Sequence, residues 1–295
     1  MRIFLTGPSG FLGSALARYW IACGHDLWLL ARPTSCLDRL ADLPASVSVV
    51  RASEPDDIGA AVREAAPEVI VHTACSYGRK GETALDVMDA NLRLGTVLLQ
   101  AVLDKPAGEE SPTTFLNTGT VLEPGVSLYA LSKTQFSAWG AQLATMAPKQ
   151  LRFIDIKLQQ MYGPGDDRSK FTTHVIEACR NNEMRLALTP GHQRRDFIYI
   201  DDVVRAYERI LERRGDFAAS DAIEVGSGNA VAMRSFVELT KQLAGASTVL
   251  DFGAVPYRAN EAMLCVADTA RLRSLGWQPE VPLADGIKSM IDALH

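Results

Sequence analysis

The sequence lacks three things that would place it in a class at once. It has no excess of positive charge: 30 Lys and Arg stand against 35 Asp and Glu, a formal net charge of −5. Such a chain cannot neutralise a phosphate backbone over a broad surface, which excludes nucleic acid as its main partner. It has no apolar run near the roughly 18 residues that span a bilayer, so no membrane partner is expected. Nor does the N-terminal stretch read as a secretory leader. Ile3-Phe4-Leu5 gives way at once to Thr6-Gly7, short of the roughly 7–15 apolar residues a leader carries. The cysteines Cys23, Cys36, Cys75, Cys179 and Cys265 are odd in number and scattered, with no C-x-x-C pair. That pattern fits buried, reduced thiols in a cytoplasmic protein, with neither a disulfide framework nor a zinc site. His174 and His192 have no carboxylate or cysteine at ligand spacing, and no metal is expected.

What is present is a globular balance. Hydrophobic residues make up 47% and charged residues 22% of 295 residues, enough for one large domain or two unequal ones. In the first half, strands are predicted at 2–6, 27–31, 47–51, 69–72, 113–117 and 151–158, with helices at 11–23, 56–66, 84–103 and 127–146. Strands alternating with helices imply crossover connections, hence an α/β fold with a doubly wound parallel sheet. Beyond Gly163-Pro164-Gly165 the rhythm changes to short strands (185–188, 197–200, 223–225) and helices (172–182, 203–213, 235–244, 284–294). This is read as a smaller, mixed α/β region. Residues 79–83 and 109–112 are read as surface connections.

Gly7-Pro8-Ser9-Gly10-Phe11-Leu12-Gly13 lies between the first strand and the first helix. Glycine at 7 permits a tight turn, at 10 a close approach of backbone to pyrophosphate, and at 13 close packing of helix on strand. The helix start adds free N–H groups and the positive end of its dipole. Gly7, Ser9, Gly10, Phe11, Leu12 and Gly13 are therefore read as binding a dinucleotide. After the second strand, where an NAD binder carries an acid for the ribose 2′-hydroxyl, the chain reads Ala31-Arg32-Pro33-Thr34-Ser35. Arg32, helped by Ser35, suits a 2′-phosphate, so NADPH is expected ahead of NAD(H). The alternative for Arg32 is an ordinary solvated arginine.

Tyr129 and Lys133 stand four apart, on one face of a predicted helix. A tyrosine titrates near pH 10 and serves poorly as an acid–base group at pH 7. A neighbouring ammonium favours the phenolate, so Lys133 is expected to lower the Tyr129 pKa.

With these two motifs the chain resembles the extended short-chain dehydrogenase/reductase family, in the branch that acts on nucleotide-diphosphate sugars. The resemblance runs nearly end to end. It includes Val69-Ile70-Val71-His72-Thr73-Ala74, Asn91 with Gly95-Thr96, Met161-Tyr162-Gly163-Pro164-Gly165, Arg195-Asp196-Phe197 through Val203, and Leu275-Gly276-Trp277-Gln278-Pro279. The resemblance implies a Rossmann dinucleotide-binding domain over 1–160, with parts of 196–230 returning to it, and a mainly substrate-binding region over 161–295. It implies that Thr73 and Ala74 line the cofactor, and that Lys133 holds the nicotinamide ribose. A Ser or Thr after the fifth strand bonds the reacting oxygen; Thr118 matches that serine, with Thr120 the second choice. Arg195 and Arg258 match the family's diphosphate-binding arginines, and Lys170 is a weaker candidate. Asp201 and Asp202 read as caps of the helix that follows them. A homodimer formed through the helices at 84–103 and 127–146 is also implied.

The segment Asn117-Thr118-Gly119-Thr120 is most similar to the 4-ketoreductases of 3,6-dideoxyhexose pathways, abequose and paratose synthases among them. Family dehydratases carry Asp-Glu after the Thr, where this chain has Gly119-Thr120. Elimination needs that acid. The expected activity is thus hydride transfer from NADPH to the 4-keto group of a nucleotide-linked deoxyhexose. The alternatives are an NAD-dependent 4-epimerase and a non-catalytic dinucleotide-sensing scaffold.

Overall fold

The computed structural model describes residues 1–44, 46–105 and 111–294. Of the connection expected at 109–112, Glu109 and Glu110 lie outside the described residues. In chain order the elements begin with β1 (Arg2–Thr6), α1 (Phe11–Ala22), β2 (Asp26–Ala31), β3 (Ser48–Arg51), α2 (Pro55–Ala65), β4 (Val69–His72), α3 (Ala84–Met88) and α4 (Leu94–Leu103). Next come β5 (Thr113–Thr120), α5 (Leu128–Met146), β6 (Leu151–Leu158), β7 (Gln160–Tyr162), α6 (Phe171–Arg180), β8 (Arg185–Leu188), β9 (Arg194–Tyr199) and α7 (Ile200–Glu212). The chain closes with β10 (Ser220–Val225), β11 (Ala230–Ala232), α8 (Met233–Ala244), β12 (Val249–Phe252), β13 (Leu264–Cys265), α9 (Ala270–Ser274) and α10 (Leu283–Asp292).

The first compact unit comprises 1–157 and 211–223. Its seven-stranded sheet has the order β10-β6-β5-β4-β1-β2-β3. The pairs β1–β2, β1–β4, β2–β3 and β4–β5 are parallel. This is the doubly wound α/β order, reversing beside β1, and ligands of such sheets bind outside the strand C-termini there. β4 is buried along its whole length and β1 along all but its first residue. Strands covered on both faces need apolar residues on both, and Ile3-Phe4-Leu5 and Val69-Ile70-Val71 supply them. Phe115 of β5 stacks on Phe153 of β6 with centroids 5.5 Å apart, and Phe136 of α5 meets Phe153 edge-on at 6.0 Å. Aromatic packing of this kind fixes α5 against the sheet.

Two features differ from expectation. The helix expected at 84–103 is interrupted by one π-helical turn, Asp89–Arg93. β5 runs on to Thr120, so Thr118 and Thr120 lie within the strand. The second unit comprises 158–210 and 224–295. It holds β11-β9-β13 with β7 also on β9, and a separate β12–β8 pair. Periodicity did not reveal β7, β11, β12 or β13; strands of two to four residues are defined by their partners. Asp202 does not cap its own helix. It accepts from the backbone N–H groups of Glu280 at 2.8 Å and Val281 at 3.1 Å, tying the C-terminal segment to α7.

Candidate active site

The glycine turn is held by steric need. Gly7 has φ +69°, and a Cβ there would lie 2.7 Å from the Ala74 nitrogen. A Cβ on Gly13 would lie 2.1 Å from the Gly7 carbonyl oxygen. Gly10 donates to the Gly7 carbonyl at 3.0 Å. No side chain caps α1, and a helix start presents N–H groups and the positive end of its dipole to an anion. Thr73 Oγ1 donates to the Thr6 carbonyl at 2.7 Å and Ala74 N to Thr6 Oγ1 at 3.3 Å, lacing the C-termini of β1 and β4 together beneath the turn. Leu12 is buried in the core, while Ser9 and Phe11 are half-buried.

Arg32 is exposed in the loop after β2. Sequence reasoning missed the residue that shapes this loop. Arg51, at the end of β3, donates through Nη1 to the carbonyls of Arg32 (3.3 Å), Pro33 (3.1 Å) and Ser35 (3.1 Å). A basic residue closing the strand next to β2 was the available signal.

α5 opens on Ser127, whose Oγ accepts from Ala130 N at 3.1 Å. Tyr129 follows within the first turn. Its hydroxyl is hydrogen-bonded to the Thr120 side chain, and Thr118 stands two residues back on the same strand. The Tyr77 ring lies 4.7 Å from that of Tyr129, centroid to centroid, and the Arg79 guanidinium lies 5.4 Å over Tyr77. Burial, and then Cys75, hold the phenol well above its ordinary pKa, while Thr120 and Arg79 act in the opposite sense. The expected lowering by Lys133 is not among the influences on this group; desolvation dominates, and the phenol keeps its proton at neutral pH.

Lys133 is 1% exposed and its Nζ has no hydrogen-bond partner. Burial lowers its pKa, against Cys75 and Asp155, which raise it. His72 is fully buried, paired through Nδ1 with Thr6 Oγ1 at 2.8 Å. Burial and then Lys133 push its pKa well down, so it is neutral. Asn91, in the π-helical turn, accepts from Ser76 N at 2.7 Å and donates to Ser76 O at 2.8 Å and Ser132 Oγ at 3.0 Å. It thereby clamps the segment leading to Tyr77 against α5. Tyr77, Arg79, Asn91 and Cys75 reach Tyr129 or its helix only through tertiary contact, so spacing could not assign them.

In the second unit Lys170 does not present a free cation. Its ammonium pairs with Asp166 at 2.9 Å and 3.0 Å, and that carboxylate's side chain is fully buried. Arg168, two residues before Lys170, is likewise paired, with Glu177 at 2.9 Å. Arg195 pairs with Glu261. Arg258, three residues before Glu261, is exposed; its carbonyl accepts from Glu261 N at 3.1 Å. Among the described residues no group of three His, Cys, Asp or Glu could hold a metal, and no helix is long and apolar enough to cross a membrane.

Residues 3–226 match a family profile described as the NAD dependent epimerase/dehydratase family. The CDP-abequose synthase of Salmonella typhimurium is 29% identical, over 99% of this chain and 98% of that one. A CDP-abequose synthase from Salmonella muenchen is 30% identical, over 98% and 97%. Among solved structures, the UDP-glucose 4-epimerase of Thermotoga maritima with UDP-glucose superposes with a TM-score of 0.84 at 19% identity, covering 100% of this chain and 98% of that one. At that identity the likeness concerns the fold.

Proposed function

The chain belongs to the NAD dependent epimerase/dehydratase family, and on that premise we propose that it reduces the 4-keto group of a nucleotide-diphosphate-linked deoxyhexose with NADPH. The residues present fit a dinucleotide. The buried Lys133 Nζ lacks a partner within the protein, and the turn from Gly7 to Gly13 leads into an uncapped helix start. Gly7, Ser9, Gly10, Phe11, Leu12 and Gly13 would hold the pyrophosphate, Thr73 and Ala74 line it, Lys133 take the ribose hydroxyls, and Arg32 with Ser35 take the 2′-phosphate. When bound, the cofactor supplies the hydride.

Tyr129 donates its proton to the oxygen that gains charge on reduction, and a threonine hydroxyl of β5 orients that oxygen. Thr118 is the family's match, and Thr120 is the hydroxyl that already meets Tyr129. The basic Arg32 after β2, where an NAD binder carries an acid, carries this reading. A reductase consumes one NADPH per turnover, whereas an epimerase keeps its cofactor and has no use for the phosphorylated form. Gly119 adds support against a dehydratase, because a Cβ there would lie 2.5 Å from Asp155 Oδ1. An acidic side chain has no room at that position. The relatives named CDP-abequose synthase favour a cytidine diphosphate sugar among the candidate substrates. The deciding experiment is turnover of a panel of 4-keto sugar nucleotides, following NADPH consumption. Tightly bound NAD in the purified protein, with no net NADPH consumption, would replace reduction by epimerisation.

Arg258, with Arg195, binds the substrate diphosphate; guanidinium suits it through bidentate bonds. Glu261 already takes part of Arg195, which makes Arg258 the stronger contributor. Arg258→Ala is expected to raise KM for the sugar nucleotide about tenfold, the effect of losing about 1.5 kcal/mol, and to leave NADPH affinity unchanged. Arg258→Lys should restore only part. Weakened NADPH with unaltered nucleoside diphosphate binding would assign the arginine to the other ligand.

The protein forms a homodimer through α3 and α5. Leu85 and Met88 of α3 and Leu131, Trp139 and Met146 of α5 are exposed at 69%, 48%, 39%, 55% and 71%. Large apolar side chains grouped on adjacent helices mark an association surface. Sedimentation is expected to give twice the chain mass, and Trp139→Lys to lower it; a wild-type monomer at micromolar concentration excludes this assembly.

A further inference from the structure

A row of buried polar residues crosses four adjacent strands of the seven-stranded sheet. Thr6 of β1 is in register with His72 of β4, and His72 with Asn117 of β5. Asn117 Nδ2 donates to Asp155 Oδ1 of β6 at 2.7 Å. His72 and Asn117 are fully buried and Asp155 is 8% exposed. A carboxylate inside a sheet covered on both faces is costly, and such groups persist where they are paired and used. Asp155 lies between Ile154 and Ile156, each fully buried, so it is not a surface residue turned inward at a strand end. The fold makes room for it through Gly119, whose missing side chain the carboxylate occupies.

The same carboxylate reaches α5. Ser137 Oγ donates to Asp155 Oδ1 at 2.9 Å, and Ser137 is one helical turn beyond Lys133 on the same face. We propose that Asp155 is a positioning residue of the active site, the counter-ion that keeps the buried Lys133 ammonium charged where it meets the cofactor ribose. The proposal rests on the reading of Lys133 given above.

The groups facing Lys133 are few. Cys75 comes from the segment after β4, His72 from β4, and Asp155 from β6. The imidazole is neutral and supplies no negative charge. Burial pulls the lysine toward its neutral amine, and Asp155 opposes this. Asp155 is itself pushed up by burial, against Ser137, Asn117, Lys133 and Lys157, which favour its ionised form. Carboxylate and ammonium thus each favour the other's charged form, against the burial that disfavours both.

Asp155→Asn tests this with little structural disturbance. Both donors, Asn117 Nδ2 and Ser137 Oγ, bond Oδ1, and an amide oxygen there accepts both. The charge leaves, and an NH2 group takes the place of Oδ2. The pH at which NADPH affinity is half lost on the alkaline side is expected to fall by about 1 unit, the lower end of what an adjacent opposite charge imposes. A second readout needs no cofactor. Because the folded-state pKa of Lys133 lies below its unfolded value, the unfolded chain binds more protons in that window, and Lys133 makes stability rise with pH there. In Asp155→Asn the rise in melting temperature should begin about 1 unit lower. Identical alkaline midpoints in the variant and the wild type would overturn the proposal.

If Asp155→Asn does not fold, Asp155→Ser decides, because its hydroxyl can still accept a hydrogen bond while the charge is gone. Its alkaline midpoint for NADPH affinity should also fall; an unchanged midpoint overturns the proposal. Lys133→Met separates the role of Lys133 from that of Asp155. If it leaves NADPH affinity unchanged, the reading of Lys133 falls and the role of Asp155 with it. If it weakens affinity while Asp155→Asn moves neither midpoint, only the role of Asp155 falls.

Discussion

Replacing Tyr129 by Phe is expected to lower kcat by about 10²–10⁴-fold, the usual contribution of a positioned general acid. The ring stays, so its packing against Tyr77 at 4.7 Å survives. What leaves is one hydroxyl and its bond to Thr120, a change of about 1 kcal/mol in stability. The loss should therefore appear in kcat, with melting temperature and NADPH affinity little altered. The direction of the Tyr129 pKa adds a detail. Burial keeps the phenol protonated well above neutrality, so the donor form is fully populated at pH 7 and at every lower pH. The wild-type kcat should show no alkaline loss attributable to Tyr129 in the neutral range. A Phe variant with near wild-type turnover of the keto sugar would remove Tyr129 from the reaction.

Arg32→Ala should cost NADPH about 10–150-fold in affinity and NADH almost nothing. The range corresponds to a charge-assisted hydrogen bond of roughly 1.5–3 kcal/mol. The structure makes this a clean substitution. Arg32 is exposed, and the loop that carries it is held by Arg51 through three backbone carbonyls. Those bonds do not involve the Arg32 side chain, so truncating it leaves the loop in place. Arg51→Ala should behave differently, because it releases the loop itself and weakens both cofactors. The measurement is the dissociation constant of each cofactor for each variant. An equal loss of NADPH and NADH on Arg32→Ala would make that arginine a structural residue.

Local grammar carried the sheet, the glycine turn and the Tyr129–Lys133 pair. A parallel strand covered on both faces must be apolar, and a turn into a helix over pyrophosphate needs glycine, so both are written in short windows. The polar layer beneath the site was not legible in this way. Asp155 did leave a trace, an acid inside the apolar run Phe153-Ile154-Asp155-Ile156, but its partners lie 18 and 38 residues away in sequence. The pKa of Tyr129 escapes the sequence for a related reason. Its spacing from Lys133 is visible in the sequence, whereas the desolvation that dominates depends on everything packed around the ring. Lys170 illustrates the same limit at shorter range: Asp166, four residues earlier, takes its charge. That i,i+4 spacing was readable, but the burial that makes the pairing decisive was not.

The turn Asp89–Arg93 sets the phase of the helix that contains it. One additional residue per turn rotates everything downstream by about 100° relative to an uninterrupted α-helix. Leu85 and Met88, before it, face outward, while Leu98, Leu99 and Val102, after it, are buried against the core. The same offset aims Asn91 at Ser76 and Ser132. Substitutions along this stretch leave that phase intact, but a deletion of one residue does not. It would swing the outward apolar side chains and Asn91 to new bearings together, releasing the strip from Ser76 to Arg79 that covers Tyr129. Chain length between Ala84 and Leu103 is therefore constrained by the chemistry at the neighbouring helix, more tightly than the identity of most residues within it.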